Sequence, residues 1–137
     1  MLRHLAIAGI LGLSVYVAGD SINPLFVVDG DTVRIDATRY RIHNIDAPEL
    51  TRARCLREET LAVMAKQRLY ELTRNEFQLR PVACFHKTER NPHDNYGRTC
   101  VAISVNTPEG WQDVGEILVS EGLAVRFGRG WPDWCAK

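Results

Sequence analysis

Short segments of alternating apolar and polar residues follow one another between residues 25 and 45. They read "LFVV", then "TVRI" after an Asp-Gly pair, then "RYRIHNI" after the polar "DAT". Such alternation is typical of half-buried strands, and Asp-Gly between two of them is a strong hairpin signal. The pattern therefore predicts an antiparallel meander of two or three strands, with a tight turn at Asp29-Gly30.

Beyond the meander, the apolar positions repeat at helical spacing. Leu61, Ala65, Leu69 and Leu72 are separated by four, four and three residues, with charged residues between them. This spacing places the apolar side chains on one face of a helix. We predict one amphipathic helix from about residue 57 to residue 74.

The second half of the chain returns to strand-like segments. "FQLRPVACF" (77–85) and "TCVAISV" (99–105) are rich in apolar residues, and the polar residues 86–97 between them predict a long exposed loop. "DVGEILVSE" (113–121), followed by Gly122, predicts a short helix with glycine just past its end.

These elements predict a mainly β fold of the α+β class. Five short strands, with a helix after strand three and a short second helix, match a five-stranded OB-type Greek-key barrel. The open face of such a barrel commonly receives oligonucleotides, but the fold alone does not establish a function.

The N-terminal residues have the layout of a secretory signal. Arg3 precedes fourteen residues from Leu5 to Ala18 that are mostly apolar, and small residues follow before Asp20. The stretch is shorter than the roughly 20 apolar residues that span a bilayer as a helix. We expect residues 1–19 to be a cleaved signal peptide and residues 20–137 to be the domain, exported to the periplasm or secreted. An uncleaved membrane anchor and a buried N-terminal helix are the alternatives.

Cysteine content agrees with export. The chain has four cysteines without CxxC spacing, so disulfides are expected rather than a zinc site. Four cysteines allow three pairings, which the sequence alone does not separate. We favour Cys84 with Cys100, on neighbouring predicted strands, and Cys55 with Cys135. Four buried free thiols are the alternative.

Composition bounds the function only loosely. The 137 residues fit one small domain, and 17 basic residues balance 17 acidic ones. A neutral total neither supports nor excludes a nucleic-acid partner, because a local basic patch can exist within it.

Three polar clusters contain the residues capable of chemistry: "DGDT" (29–32), "RIHNIDAPE" (41–49) and "DNYGR" (94–98). Each has a purely structural interpretation. The first would be only a hairpin, the second an extended turn forced by Pro48, and the third a turn entering a strand. The predicted barrel, however, brings all three toward one face.

Together the clusters would form a site for a cation and a phosphate. The carboxylates of Asp31, Asp46 and Glu49 would lie near the guanidinium groups of Arg41 and Arg98. Hard oxygen ligands suit Ca²⁺, and the planar donor forks of arginine clamp phosphate oxygens. The chemistry implied is attack of water on a phosphodiester.

With these motifs in order, residues 25–127 resemble the staphylococcal nuclease (thermonuclease) family. The resemblance implies a five-stranded OB-type barrel and Ca²⁺-dependent hydrolysis of DNA and RNA to 3′-phosphate products. It also implies a nucleic-acid substrate. We expect a monomer without a stable protein partner.

The resemblance also implies a role for each matching position. Asp31 and Asp46 would bind Ca²⁺ through carboxylates, and Ala47, where the reference member has threonine, would bind it through its carbonyl. Glu49 would hold or deprotonate the attacking water, and Arg41 and Arg98 would stabilise the charge growing on phosphorus. Tyr96 would contact a substrate phosphate, and Asp29 and Thr32 would lie behind the metal ligands.

Two other functions remain open from the sequence. One is a non-catalytic OB-fold module that binds nucleic acid or protein, as degenerate copies of this domain do. The other is a hydrolase of a different phosphodiester or of nucleotides. The presence of all five acidic and arginine positions, together with a signal-like segment, favours the nuclease.

Overall fold

The protein is an α+β chain dominated by strands, with two helices. The computed structural model describes residues 24–136 and the backbone of residues 14–16. The strands are β1 (Ser14–Tyr16), β2 (Leu25–Asp29), β3 (Thr32–Ile35), β4 (Thr38–Ile42), β5 (Ile45–Asp46), β6 (Phe77–Val82), β7 (Thr99–Thr107), β8 (Gly110–Asp113) and β9 (Val125–Arg126). The helices are α1 (Leu56–Leu72) and α2 (Val114–Ser120).

Seven of the strands form one sheet. Their order is β1-β6-β7-β4-β3-β2, and β8 pairs with β7. The meander of β2, β3 and β4 is antiparallel, as predicted, whereas β4 and β7 run parallel. Within the described residues the path has β1 and β2 at its ends, so closure into a five-stranded barrel stays a prediction.

Several short elements differ from the sequence-based expectation. The segment 39–45, expected to be one strand, divides into β4 and β5, and β5 pairs with β9 in a separate two-stranded sheet. The strand β8, which begins three residues after the end of β7, was not predicted. Two-residue strands and an exposed strand carry too little alternation to be recognised from sequence.

The core lies between the sheet and one face of α1. Ala65, Leu69 and Leu72 on that helix are buried, as their spacing predicted. They belong to one apolar cluster with strand residues such as Val33, Ile42, Phe77, Val101, Ile103 and Val105. Burial of this cluster is the main source of stability, at roughly 25 cal/mol per Å² of apolar surface.

The β2–β3 turn is pressed against this core. A side chain at Gly30 would place its Cβ 2.7 Å from the Cβ of Ala65 and 2.8 Å from that of Ala47. Glycine is therefore required by space rather than by a positive φ. The turn is formed by Gly30 and Asp31, one residue later than the predicted Asp29-Gly30 pair, and β3 begins at Thr32.

The start of α1 is stabilised by Glu58, whose side chain is buried (2% exposed). Its carboxylate accepts hydrogen bonds from the backbone N–H groups of Arg54, at 2.8 Å, and Glu49, at 3.5 Å. The bond from the Arg54 backbone is the main reason why the pKa of Glu58 lies below its ordinary value, although burial acts in the opposite direction. Glu58 thereby holds the loop that carries Glu49.

Two disulfides join distant parts of the chain. They pair Cys84 with Cys100 and Cys55 with Cys135, which is the favoured pairing, and the described residues contain no free cysteine. Cys55 also caps α1, since its Sγ accepts the N–H of Glu58. Disulfides persist in oxidising compartments and are consistent with an extracellular protein.

The predicted leader falls mostly outside the described residues. Of residues 1–19, only the backbone of Ser14–Tyr16 is described, as strand β1 paired with β6. Neither helix within residues 24–136 combines the length and apolar character needed to cross a bilayer.

The first prediction concerns the space around Gly30. Gly30→Ala is expected to lower the free energy of unfolding by about 1 to 3 kcal/mol, because the added methyl overpacks the contact with Ala65 and Ala47. Urea unfolding followed by circular dichroism measures this loss. An unchanged or raised unfolding free energy would show that the turn has room for a side chain.

The second prediction concerns Glu58 and pH. Glu58→Gln is expected to cost about 1.5 to 3 kcal/mol at neutral pH, because the amide has one neutral acceptor oxygen in place of two charged ones and leaves one of the two backbone N–H groups without an acceptor. A lowered pKa in the folded state contributes stability above the ordinary value of 4.5 and loses it as pH falls through the folded-state value. The difference between wild type and variant should therefore shrink below about pH 4.5.

Glu59→Gln provides the matched control for this measurement. Glu59 is the next residue in the same helical turn, and its side chain is exposed. Its substitution should change the unfolding free energy by no more than about 0.5 kcal/mol. Equal effects of the two substitutions would contradict the role given to Glu58.

Candidate active site

The candidate site lies where the β2–β3 turn meets the end of β4. Asp31 belongs to the turn, and its neighbour Thr32 pairs in register with Arg41 of β4. One carboxylate oxygen of Asp31 accepts the hydroxyl of Thr32 at 3.0 Å, and the other accepts the backbone N–H of Ala47 at 2.9 Å. The Asp31 carboxylate thus connects the turn to the segment that follows β5.

Arg41 lies between two carboxylates. Its Nη2 is 3.3 Å from Oδ2 of Asp31 and 3.3 Å from Oδ1 of Asp46. These two oxygens are therefore separated by no more than twice that distance. Arg41 is 8% exposed, and its Nη1 donates to the carbonyls of Ile42 and Ile45, each at 2.8 Å. Four contacts hold the guanidinium in one position.

Negative charge is in excess around this arginine. Burial, followed by the charge of Asp31, raises the pKa of Asp29 to about 6. Burial also raises the pKa of Asp46, and Asp31 and Glu49 raise it further while Arg41 lowers it. Burial first, and neighbouring carboxylates second, thus disfavour the ionised forms of Asp29 and Asp46, and a further cation would stabilise those forms.

Arg98 approaches the same place from the start of β7. Its Nη1 lies 3.5 Å from the hydroxyl of Thr32, which in turn donates to Asp31. Its Nε donates to Oδ2 of Asp94 at 2.6 Å. The parallel pairing of β4 and β7 brings Arg98 to this end of the sheet.

Asp94 is a residue that the sequence interpretation did not single out within its cluster. Its carboxylate also accepts the backbone N–H groups of Arg98, at 2.8 Å, and Tyr96, at 2.9 Å. Burial raises the pKa of Asp94, but these hydrogen bonds outweigh burial and leave it below the ordinary value. The four-residue spacing between Asp94 and Arg98 was the available signal for this pair.

Tyr96 and Glu49 lie at the rim of the site. Tyr96 is 86% exposed, and the guanidinium carbon of Arg98 lies 5.4 Å from the centre of its ring. Glu49 is exposed, and its charge acts on Asp46, but within residues 24–136 its carboxylate has no hydrogen bond or ion pair. Both side chains are accessible to a ligand.

An aromatic side chain covers one side of Arg41. The ring centre of Phe127 lies 5.5 Å from the guanidinium carbon of Arg41 and 5.3 Å from the ring centre of Phe85. The backbone N–H of Phe127 donates to the carbonyl of Asn44. The segment after β9 thus forms an apolar wall beside the buried charges.

The site has few side-chain ligands for a metal ion. No group of three or more histidine, cysteine, aspartate or glutamate side chains in residues 24–136 is arranged to hold a metal. Asp31 and Asp46 are the two carboxylates in contact with Arg41 among the described residues, and a carbonyl and water molecules would have to complete the coordination of an ion. Calcium accepts such mixed oxygen ligands.

Comparison with known proteins identifies the family. Residues 39–131 match the family described as staphylococcal nuclease homologue. A comparison with curated proteins gives no match. The matched residues include Arg41, Asp46, Glu49 and Arg98 and cover more than half of the chain. The chain is a member of the staphylococcal nuclease family.

Proposed function

We propose that the protein is a Ca²⁺-dependent phosphodiesterase that hydrolyses DNA or RNA to products with a 3′-phosphate. One observation carries the proposal: Asp31 and Asp46 lie at equal distances from the same nitrogen of the buried Arg41. Family membership gives nuclease activity as the general expectation, although such domains also exist without catalysis.

The donor set fits a hard cation. Carboxylate oxygens of Asp31 and Asp46, with the carbonyl of Ala47, would hold Ca²⁺, and water would fill its remaining positions. The raised pKa values of Asp29 and Asp46 are compatible with this, since burial of the two carboxyl groups and, after it, the charge of Asp31 both disfavour their ionised forms, which a cation would stabilise. When bound, the ion would polarise the phosphate and favour ionisation of a nearby water. Alanine at residue 47 retains the carbonyl needed for this role.

The two arginines would act on the phosphate. Arg41 is fixed by two carbonyls and two carboxylates, and Arg98 is fixed by Asp94. Donors held in place before the reaction cost no reorganisation when charge develops on the phosphoryl oxygens. We propose that these two guanidinium groups stabilise that charge as the bond between phosphorus and the leaving oxygen breaks.

Glu49 and Tyr96 would contact the water and the substrate. The carboxylate of Glu49 is exposed and unpaired among the described residues, which leaves it available to accept a proton from water. The loop that carries it is held from behind by Glu58. Tyr96 would donate its hydroxyl hydrogen to a neighbouring phosphate.

The proposal also includes the location, oligomeric state and domain bounds of the enzyme. We propose an exported monomeric enzyme with residues 20–137 as its domain, arranged as a five-stranded OB-type barrel, and with residues 1–19 as signal peptide or anchor. The two disulfides support an oxidising compartment. The competing function, a non-catalytic binding module, predicts binding of nucleic acid without cleavage.

The third prediction tests metal-dependent hydrolysis directly. Single-stranded DNA and RNA are expected to be cut in Ca²⁺ and to remain intact in EGTA. Without Ca²⁺, Asp31 and Asp46 would contact Arg41 but would have no metal ion between them and the phosphate. Gel electrophoresis of end-labelled strands measures cleavage, and phosphatase treatment identifies the 3′-phosphate. Retention of intact strands under both conditions would favour the binding module.

The fourth prediction tests Glu49. Glu49→Gln is expected to lower kcat by about 10² to 10⁴-fold, because a positioned base is lost, with a smaller change in KM. Glu109→Gln is the control, since Glu109 is an exposed residue of the β7–β8 turn, remote from the site. Similar kcat values for wild type and Glu49→Gln would exclude Glu49 as the base.

A further inference from the structure

A basic patch occupies the outer side of the meander. In register, Phe26 of β2 lies opposite Arg34 of β3, and Arg34 lies opposite Arg39 of β4. All three side chains are exposed, Phe26 by 53%. Lys66 of α1 reaches the same ring, with its Nζ 5.9 Å from the ring centre of Phe26. We call Phe26, Arg34, Arg39 and Lys66 the outer patch.

The outer patch has positive charge without a carboxylate partner. No ion pair among residues 24–136 includes Arg34, Arg39 or Lys66, and Asp36 in the β3–β4 turn pairs with neither arginine. Like charges directly opposite on neighbouring strands destabilise a sheet. The guanidinium of Arg34 lies 4.8 Å from the ring centre of Phe26, an attractive contact that provides no negative charge. An anionic ligand would provide that charge and reduce the repulsion.

Strand geometry connects the outer patch to the candidate active site. Residues two apart on a strand point to the same side of a sheet, about 6.6 Å from each other. Arg34 therefore shares its side with Thr32, and Arg39 shares its side with Arg41. The outer patch continues the row of cationic groups that begins at Arg41.

We propose that the outer patch binds the sugar-phosphate backbone of a single nucleic-acid strand, beyond the phosphate that is cleaved. This inference rests on the proposed nuclease function and extends it by naming the path of the substrate. Basic side chains along a strand follow successive phosphates, and the exposed ring of Phe26 offers a surface for a base or sugar. A single strand has such groups accessible, whereas a duplex covers its bases.

A nucleic-acid strand fits better than an anionic membrane. The three strand residues of the outer patch lie on the same side of the sheet as Arg41, so a membrane lying flat on the patch would obstruct the mouth of the site. A strand would occupy both at once. The chemistry shared by the two ligands is phosphate, and the experiment below separates them.

The experiment measures binding of single-stranded DNA of 12 nucleotides and of 3 nucleotides, in EGTA, over a range of salt concentrations. Fluorescence anisotropy is measured for wild type, Arg34→Gln, Arg39→Gln and the double variant. Each substitution is expected to weaken binding of the 12-mer and to reduce the slope of log K against log salt by about 0.7. Binding of the 3-mer is expected to fall much less, because a 3-mer bound at the candidate active site is too short to extend along the outer patch.

Three controls make the outcome specific. Arg74→Gln removes the same charge from an exposed arginine without an ion pair in residues 24–136, beyond the end of α1, and is expected to leave the slope unchanged. Arg34→Lys with Arg39→Lys keeps the charge and should retain the wild-type slope. Circular dichroism verifies that each variant is folded.

Two results would overturn the inference. One is a slope for the double variant equal to that of wild type or of Arg74→Gln. The other is unchanged DNA binding together with lost binding to vesicles of phosphatidylcholine and phosphatidylserine, which would assign the outer patch to a membrane. Neither result depends on hydrolysis, so a failure of cleavage in Ca²⁺ would refute the proposed function separately.

Discussion

The arrangement of this protein depends on one buried guanidinium group between two carboxylates. Arg41 is desolvated, and an unpaired charge in that position would cost several kcal/mol. Asp31 and Asp46 provide the compensating charge, and the carbonyls of Ile42 and Ile45 accept hydrogen bonds from Nη1. The β2–β3 turn, β4 and β5 are therefore connected through a single side chain, and their relative positions follow from its geometry.

Two carboxylates outside the proposed reaction centre hold the proposed catalytic groups in position. Asp94 fixes Arg98 by a hydrogen bond to its Nε, and Glu58 fixes the loop of Glu49 by accepting backbone N–H groups. Both carboxylates have a lowered pKa because they accept hydrogen bonds in their charged form. Two acidic side chains that a composition count treats as ordinary surface charge thus determine where the proposed catalytic groups lie.

Sequence reasoning predicted the parts of this fold that have strong periodicity. The meander, both helices and the two long strands follow from alternation and helical spacing. The favoured disulfide pairing is also present, although the sequence alone did not separate it from the other two. The sequence interpretation did not find the parallel pairing of β4 with β7, the small sheet of β5 and β9, or strand β8. The first two arise from pairing between distant segments, which no local pattern encodes. Strand β8 pairs with its neighbour β7, but it is too exposed to show an alternating pattern.

In the candidate site too, the sequence indicated some of the residues and not others. Asp31, Arg41, Asp46 and Arg98 were selected from three clusters, and the structure brings these four together through direct contacts and the Thr32 hydroxyl. Their catalytic and metal-binding roles stay proposals. Asp94 and Glu58 were overlooked because their importance comes from which backbone N–H groups they reach, and this is known only once the loops have a conformation.

The parallel pairing of β4 and β7 has a consequence for the newly made chain. Arg41 and Arg98 come from separate halves of the sequence and meet only when these strands align, after α1 and β6 have been made. Contacts of such long sequence separation form late, because the entropy of closing the intervening loop must be overcome first. A nascent or partly folded chain consequently lacks this arrangement of the two guanidinium groups, so the proposed hydrolysis of nucleic acids would begin only at the last stage of folding.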